Sequence, residues 1–467
     1  MSKKKKLLIF SIAALLVVGV IVLIGQLTKE KPLEYTYNHS ANTVASIESG
    51  DYATYVSELK KYLGIAATDD IKTPQNRVVI NGVDYYGEES LVSTTATVNK
   101  QTITAKTSAG LNYIGEGDNK VSLENIEVLL VGNINNLVYK VDVPEAGNYN
   151  IIVNYVTTDG KDANGNDTIF SSFSSSIEKK LIVITGDEAI NKIYEDNMGK
   201  QSYVFSRVWK RDSSGANHAD IMIGAGKYDD KHSYLSLAVD TNGNDVKPSQ
   251  VEENNIYMST YLSDYMGYVT EPYEYYFTEG ENTLVFSAIK ESMQIVSIEL
   301  VPVQDTQSYE EYIEANKAKA NNAPQDYSYR VEAEASKYTS SPTLNPITDR
   351  TSSNTYPFSI KETKLNSIGG DSWKVLGDWI VWEFEVPEDG WYNISLRARQ
   401  NLVRGMYSHR KVYIDNQIPF EELKQTKILS AIFALNSSSR FFSPAEISLT
   451  PFSVAGSAIL VSSDSYS

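Results

Sequence analysis

Val143-Pro-Glu-Ala-Gly-Asn-Tyr-Asn-Ile151 and Val386-Pro-Glu-Asp-Gly-Trp-Tyr-Asn-Ile394 are one motif written twice, at a constant offset of 243 positions. Each copy stands between two strand patterns, Leu137 to Val143 and Tyr149 to Tyr155 in the first, Trp379 to Val386 and Tyr392 to Ala398 in the second. The shared residues predict a tight turn in which Pro fixes one backbone angle and Gly supplies a positive one, joining antiparallel neighbours. A single copy would be a trivial turn. Two copies, each preceded by a helical pattern, predict a duplicated folding unit. Beside the second copy, Ile380, Trp382, Phe384 and Val386 alternate with Val381, Glu383 and Glu385, the period of a strand with one buried face. The expected fold class is mainly β, built from two β-sandwiches.

Outward from the repeat, Tyr52, Tyr55, Val56, Leu59, Tyr62 and Leu63 recur at helical spacing and Gly64 stands where a helix ends, so a helix is expected over 51–63. Ser308 and Glu311, ahead of Tyr312, Ile313 and Ala315, form a capping pair that opens a linker helix broken before Pro324. The organisation that follows has a membrane segment at 1–30, a tether with a short helix at 31–77, and a first sandwich at 78–303. A linker helix at 304–328, a second sandwich at 329–423 and a tail at 424–467 complete it. The first sandwich closes with two alternating strands, Thr283 to Ala288 and Gln294 to Leu300. The second is expected to be incomplete. Ile418-Pro-Phe-Glu-Glu422 echoes Ile193-Tyr-Glu-Asp196, yet about 44 residues remain where the repeat requires roughly a hundred. About a quarter of those remaining positions are Ser, and no counterpart of the closing strands is recognisable, as a frame shift or truncation near Lys424 would produce.

The chain opens with Lys3 to Lys6 and then runs from Leu7 to Gly25 without a charge. As a helix those 19 positions reach roughly 28 Å, enough for a bilayer core, with the basic end inside. Gln26-Leu-Thr-Lys-Glu30 offers no small-x-small cleavage site, so the expectation is an uncleaved, single-pass anchor in the cell membrane with the bulk of the chain extracytoplasmic. With no Cys there is no lipid-bearing thiol, disulfide or thiolate metal site. A net charge of −17 argues against nucleic acid as a partner.

Several further stretches carry a resemblance. They are Phe205-Ser-Arg-Val-Trp209, Gly243-Asn-Asp-Val-Lys-Pro-Ser-Gln-Val-Glu252, Tyr273 to Phe277, and Ser340-Ser-Pro-Thr-Leu344. In the second half they continue as Asn366-Ser-Ile-Gly-Gly-Asp-Ser-Trp373, Gly377-Asp-Trp379 and Arg399-Gln-Asn-Leu-Val-Arg-Gly405. Over most of residues 50 to 423 the sequence resembles the amino-terminal half of large bacterial extracellular solute-binding proteins of carbohydrate ABC transporters. That resemblance implies two galactose-binding-like jelly-roll modules joined by short helices, an oligosaccharide or glycan as ligand and a sugar importer permease as partner. The chain departs from the group in having no solute-binding domain and no recognisable final strands in the second module. Val331-Glu-Ala-Glu-Ala335 with Gly377-Asp-Trp-Ile380 more loosely resembles carbohydrate-binding modules of families six and thirty-five. In those modules a Glu of the Glu-Ala-Glu stretch helps to hold a structural calcium, which implicates Glu332 or Glu334 here, and more weakly Glu88 and Glu89.

Sugar recognition needs aromatic rings for the apolar face of a pyranose and a few polar groups for its hydroxyls, placed on loops of a rigid scaffold. Tyr261, Asp264, Tyr265, Tyr268 and Tyr273 with Glu271 offer that mixture in the first module, and Asp371, Trp373, Arg399, Asn401 and Arg404 in the second. The acidic loops Asp159 to Asp167 and Asp240, Asn242, Asn244 lack the Gly and Glu placement of an EF-hand loop and are expected to be hairpin turns. No carboxylate pair sits in a recognisable glycosidase motif and no nucleophile elbow is present, so no enzyme is expected. A structural or adhesive surface scaffold, or an accessory part of a glycoside hydrolase, are the alternatives.

Overall fold

Alternation along Asn136–Val143 buries Leu137, Tyr139, Val141 and Val143 and leaves Lys140 and Asp142 in solvent. In the computed structural model this strand belongs to a four-stranded sheet, in the order Asn136–Val143, Gly280–Lys290, Ser176–Ile184, Tyr203–Ser206. Facing it is a seven-stranded sheet that runs Tyr257–Tyr261, Gly147–Val156, Met293–Pro302, Ile126–Val131, Val98–Ile103, with Val78–Asn81 added on Met293–Pro302 and Glu274–Phe277 on Gly147–Val156. Val141, Leu181 and Phe286 from the first sheet and Val153, Ile295 and Ile298 from the second enclose one apolar core. That face-to-face packing is a β-sandwich. The structure describes residues 51–86, 98–108, 110–115, 120–131, 136–158, 176–199, 201–212, 219–224, 230–265, 269, 271–317, 328–351, 355–384, 386, 390–398, 408–415, 417–428, 446–454 and 458–464.

The turn at Pro144 does not join paired neighbours, as its residues suggested. Asn136–Val143 and Gly147–Val156 lie in opposite sheets, so the segment is an arch across the sandwich. Gly147 is required there by closeness, because a Cβ would collide with the Lys72 carbonyl oxygen and the Pro74 ring. The Asn148 amide donates to that same carbonyl at 2.9 Å. The second copy divides its flanking strands in the same way, although Pro387 to Asp389 lie outside the described residues. Trp379–Glu383 joins one sheet and Gly390–Arg397 another.

Residues 446–464 correct the expectation of a second sandwich without closing strands. Glu446–Val454 pairs antiparallel with Gly390–Arg397, and Ala458–Asp464 fills the position between Trp379–Glu383 and Ser408–Ile414. In the first sandwich the equivalent central position, between Asn136–Val143 and Ser176–Ile184, belongs to the earlier strand of the closing pair, Gly280–Lys290. The tail therefore closes its module in the reverse order. Its signal was obscured by the Ser-rich composition, with Ser448, Ser453, Ser462 and Ser463 in the strands, and by Pro451, which has no N–H to pair. The register slips beside it, with Tyr392 opposite Phe452 but Ile394 opposite Leu449.

From Tyr52 onward the chain is one compact unit. The sheet that holds Trp379–Glu383 has seven strands, and its first two, Gln250–Glu252 and Trp209–Arg211, come from the stretch assigned to the first sandwich. Trp209 pairs with Thr339, which makes the sheet continuous across the expected linker. Val208 and Ile256 from one side share an apolar cluster with Tyr338, Trp379 and Val381 from the other.

Both helices expected at the module starts are present, Asp51–Leu63 and Tyr309–Asn316. The Glu311 amide donates to Ser308 Oγ at 3.3 Å and the Ser308 amide to Glu311 Oε2 at 2.7 Å, a complete capping box. A third helix, Glu188–Asn197, is capped by Asp187. Among the described residues no helix is long and apolar enough to cross a membrane, and the expected anchor at Leu7 to Gly25 lies outside them.

Candidate functional site at the junction of the sandwiches

Gly377-Asp-Trp379 ends the loop that leads into Trp379–Glu383. Gly377 sits at a φ of +73°, which favours glycine, and the ring of Tyr265 lies 3.5 Å from where a Cβ would stand, at contact distance. Tyr265, 37% exposed, therefore lies against the loop of the other module. The neighbouring carboxyl of Asp378 is buried. Its Oδ1 accepts from Ser340 Oγ at 2.8 Å, while Oδ2 has no hydrogen-bond partner within the protein. Ser340 Oγ in turn accepts the Trp379 amide at 2.9 Å, and Trp379 Nε1 donates to Ser206 Oγ at 2.9 Å. Burial pushes the Asp378 carboxyl above its ordinary pKa, partly offset by the Ser340 hydroxyl and by the positive charge of Arg410.

Trp373 packs against the same loop. Its Nε1 donates to the Asp378 carbonyl at 3.2 Å, and the Arg410 guanidinium lies 4.5 Å from its ring centroid. With a cation over one face, Trp373 is held as part of the wall. The structure thus brings Tyr265 and Trp373, named from different modules, to the same loop, at Gly377 and Asp378. Asp378, Ser340 and Arg410 were not singled out from sequence as ligand groups, although Gly377-Asp-Trp379 was among the stretches quoted for the resemblance.

The remaining candidates separate. Tyr261 is 46% exposed on the strand Tyr257–Tyr261. Asp264 is half-buried, and its Oδ2 accepts the Val269 amide at 3.1 Å, shaping the loop that carries Tyr265. Tyr273, expected on a binding loop, is only 3% exposed and its ring lies 4.5 Å from that of Tyr52, so it is a core residue. Asp371 is exposed in the short turn Gly370–Ser372. Tyr268, Arg399, Asn401 and Arg404 lie outside the described residues, as do Glu88, Glu89 and the loop Asp159 to Asp167.

Behind Tyr265 lies a set of charges that sequence reasoning did not find. Glu178, close enough to affect the Tyr265 hydroxyl, pairs with Lys290 at 3.2 Å. The next residue, Lys179, is fully buried and donates through Nζ to the Lys290 and Glu291 carbonyls. Burial draws its pKa down to about 7. Glu291, 2% exposed, has no protein partner for either carboxylate oxygen, and burial raises its pKa. Arg207 holds Glu252 through two donors, Nε and Nη2. Charged residues in and beside strands look like solvated positions in the sequence, and only their partners across the fold show them to be interior.

Of the two carboxylates that the resemblance implicates in calcium binding, Glu332 is paired with Arg330 at 2.7 Å. Glu334 is fully buried with both oxygens unpartnered, and burial pushes its pKa up to about 8. An orphaned, buried carboxyl fits a hard cation. The wider ligand set does not come from carboxylates or imidazoles, since no group of three such residues gathers among the described ones. Carbonyls or water would have to supply it.

No family model matches the sequence, and no curated protein matches it. Among solved structures it is similar to the Podospora anserina GH26-CBM35 β-(1,4)-mannanase, at 9% identity and a TM-score of 0.20, over 50% of this chain and 28% of that one. It is similar to an exo-β-1,3-galactanase from Phanerochaete chrysosporium, at 8% identity and a TM-score of 0.19, over 48% and 29%. The CBM22-1 xylan-binding domain of Paenibacillus barcinonensis Xyn10C matches at 8% identity and a TM-score of 0.18, over 50% of this chain and 99% of that domain. The chain spans less than a third of the first two proteins. TM-scores of this size carry no argument for function.

Proposed function

We propose that the chain is a membrane-tethered, extracytoplasmic carbohydrate-binding protein whose ligand seat lies where the two sandwiches meet. The observation that carries this reading is the exposed ring of Tyr265 lying against the Gly377 and Asp378 loop of the other module, a loop that Ser340 holds through the buried Asp378 carboxyl. An aromatic face on a firmly held loop suits the apolar face of a pyranose. Glu334 would hold a structural calcium behind the seat. The uncharged run Leu7 to Gly25 after Lys3 to Lys6 supports the tether. Partnership with a sugar importer permease rests on the resemblance alone, and nothing in the arrangement requires an enzyme.

Affinity gel electrophoresis against immobilised β-mannan, xylan and galactan tests the reading. Retardation that is lost in both Tyr265→Ala and Asp378→Asn supports it. Retardation unchanged in both variants moves the ligand elsewhere, and no retardation on any glycan favours a scaffold.

A further inference from the structure

Thr355-Tyr-Pro-Phe-Ser-Ile-Lys361 presents three large apolar side chains to solvent, Tyr356 at 39%, Phe358 at 41% and Ile360 at 86% exposure. Exposure of that order on neighbouring residues is unusual in a soluble chain. The loop is not loose. Asn366, 5% exposed, donates through Nδ2 to the Pro357 carbonyl at 2.8 Å and the Asp349 carbonyl at 3.0 Å, and its Oδ1 accepts the Asp349 amide at 2.7 Å. Ser359 Oγ accepts the Glu362 amide at 3.0 Å.

The base of this loop is clasped by the turn Asp240 to Asp245. Asn244 Oδ1 accepts the Thr363 amide at 2.8 Å, Asp245 Oδ2 accepts the Leu365 amide at 2.9 Å, and Lys364 Nζ donates to the Gly243 carbonyl at 3.1 Å. Beyond the clasp, Val246 is 45% exposed and Lys247 is exposed next to it. Lys361 is exposed directly after Ile360. The result is an apolar tip on a hydrogen-bonded base, with exposed Lys361 next to it and exposed Lys247 on the segment that leaves the clasping turn. One acidic neighbour, Glu362, pairs with Lys364 at 3.1 Å, on a chain whose formal charge is −17.

We infer that this tip docks on a phospholipid surface, with Phe358 and Ile360 entering the boundary between headgroups and acyl chains and Lys361 and Lys247 at the level of the phosphates. Apolar side chains bordered by lysines are suited to that boundary, where the ammonium groups stay hydrated against phosphate. A glycan would use the two rings but would leave Ile360 in water. A bilayer is also within reach, because about 25 residues between the apolar run and the helix Asp51–Leu63 span up to about 80 Å when extended. The inference rests on the membrane-anchored reading, and the two can fail separately.

The chain has no cysteine, so one introduced at Ile360→Cys can carry an environment-sensitive nitrobenzoxadiazole dye as the sole label. The full chain is reconstituted with vesicles of phosphatidylcholine and phosphatidylglycerol, and Val79→Cys, 55% exposed on a strand, serves as the reference position. Docking predicts emission at shorter wavelength for position 360 than for 79, several-fold quenching by nitroxide-bearing lipid at 360 only, and loss of both effects in Lys247→Glu with Lys361→Glu. Flotation with the vesicles but aqueous emission at 360 leaves the anchor intact and overturns the docking. Failure to float overturns both. A shift at 360 caused by oligosaccharide without vesicles assigns the loop to glycan and overturns the docking.

Discussion

Tyr55 donates its hydroxyl to Tyr194 Oη at 3.0 Å, with the two ring centroids 5.0 Å apart, across 139 residues of sequence. The second module repeats the relationship, with Tyr312 and Phe420 5.4 Å apart. In each case a residue of the helix ahead of the sandwich rests on one from the segment that follows a central-sheet strand, Ser176–Ile184 in the first module and Ser408–Ile414 in the second. Helix and sandwich are therefore one folding unit.

Removing that contact should cost what a buried aromatic costs. Tyr55 is fully buried and also accepts the Tyr276 amide at 3.1 Å. Tyr55→Ala should lower stability by about 3–5 kcal/mol, and Tyr55→Phe, which strands the Tyr276 amide, by about 1–3 kcal/mol. Urea midpoints measure both. If Tyr55→Ala melts like the parent, the helix is an appendage and not part of the core.

Tyr265 and Tyr273 carry the same side chain eight positions apart and should respond in opposite ways. Tyr265→Ala, at an exposed position, should leave stability within about 0.5 kcal/mol and abolish glycan retardation. Tyr273→Ala should cost about 3–5 kcal/mol with no specific effect on the binding of whatever remains folded. Reversed outcomes would move the ligand away from the junction.

How far this could be read in advance differs by level. The alternation around Pro144, the helix at Tyr52 to Leu63 and the cap at Ser308 are local patterns, and local patterns are what a sequence displays. The arch was not legible, because a Pro and Gly turn reads the same whether its strands pair or part into opposite sheets. Tyr273 looked like a loop tyrosine since nothing in its neighbourhood announces Tyr52, which lies far away in sequence. Asp378 and Glu291 were invisible as site residues for the same reason. Their meaning depends on Ser340, Lys179 and Arg207, which are distant in sequence and meet them only in the folded module.

The Arg207 and Glu252 pair should behave as an interior ion pair. Arg207 is 4% exposed and its guanidinium also lies 5.4 Å from the Trp209 ring centroid. Arg207→Ala leaves the Glu252 carboxylate without its partner and should cost about 3–5 kcal/mol. Replacing both residues by apolar ones, Arg207→Met with Glu252→Leu, should recover much of that loss, because neither charge is then stranded. Equal destabilisation by the single and double changes would show that packing against Trp209, and not charge, is what matters.

Glu334 makes stability depend on pH in a direction fixed by burial. Its carboxyl titrates near pH 8 in the folded chain against an ordinary value of 4.5, so the folded state binds the proton more tightly than the unfolded one. The favourable contribution of the neutral carboxyl is complete below pH 4.5 and fades as pH rises to about 8, by an amount on the order of a few kcal/mol. The Tm should therefore fall across that window, and Glu334→Gln should flatten the fall because the amide cannot ionise. Calcium held by this carboxylate would oppose the trend, since the metal competes with the proton. Added calcium should then raise Tm more at pH 8 than at pH 5 in the parent, and at neither pH in Glu334→Gln. A slope that survives the substitution would place the titrating group elsewhere, and a Tm indifferent to calcium at pH 8 would remove the metal from the account.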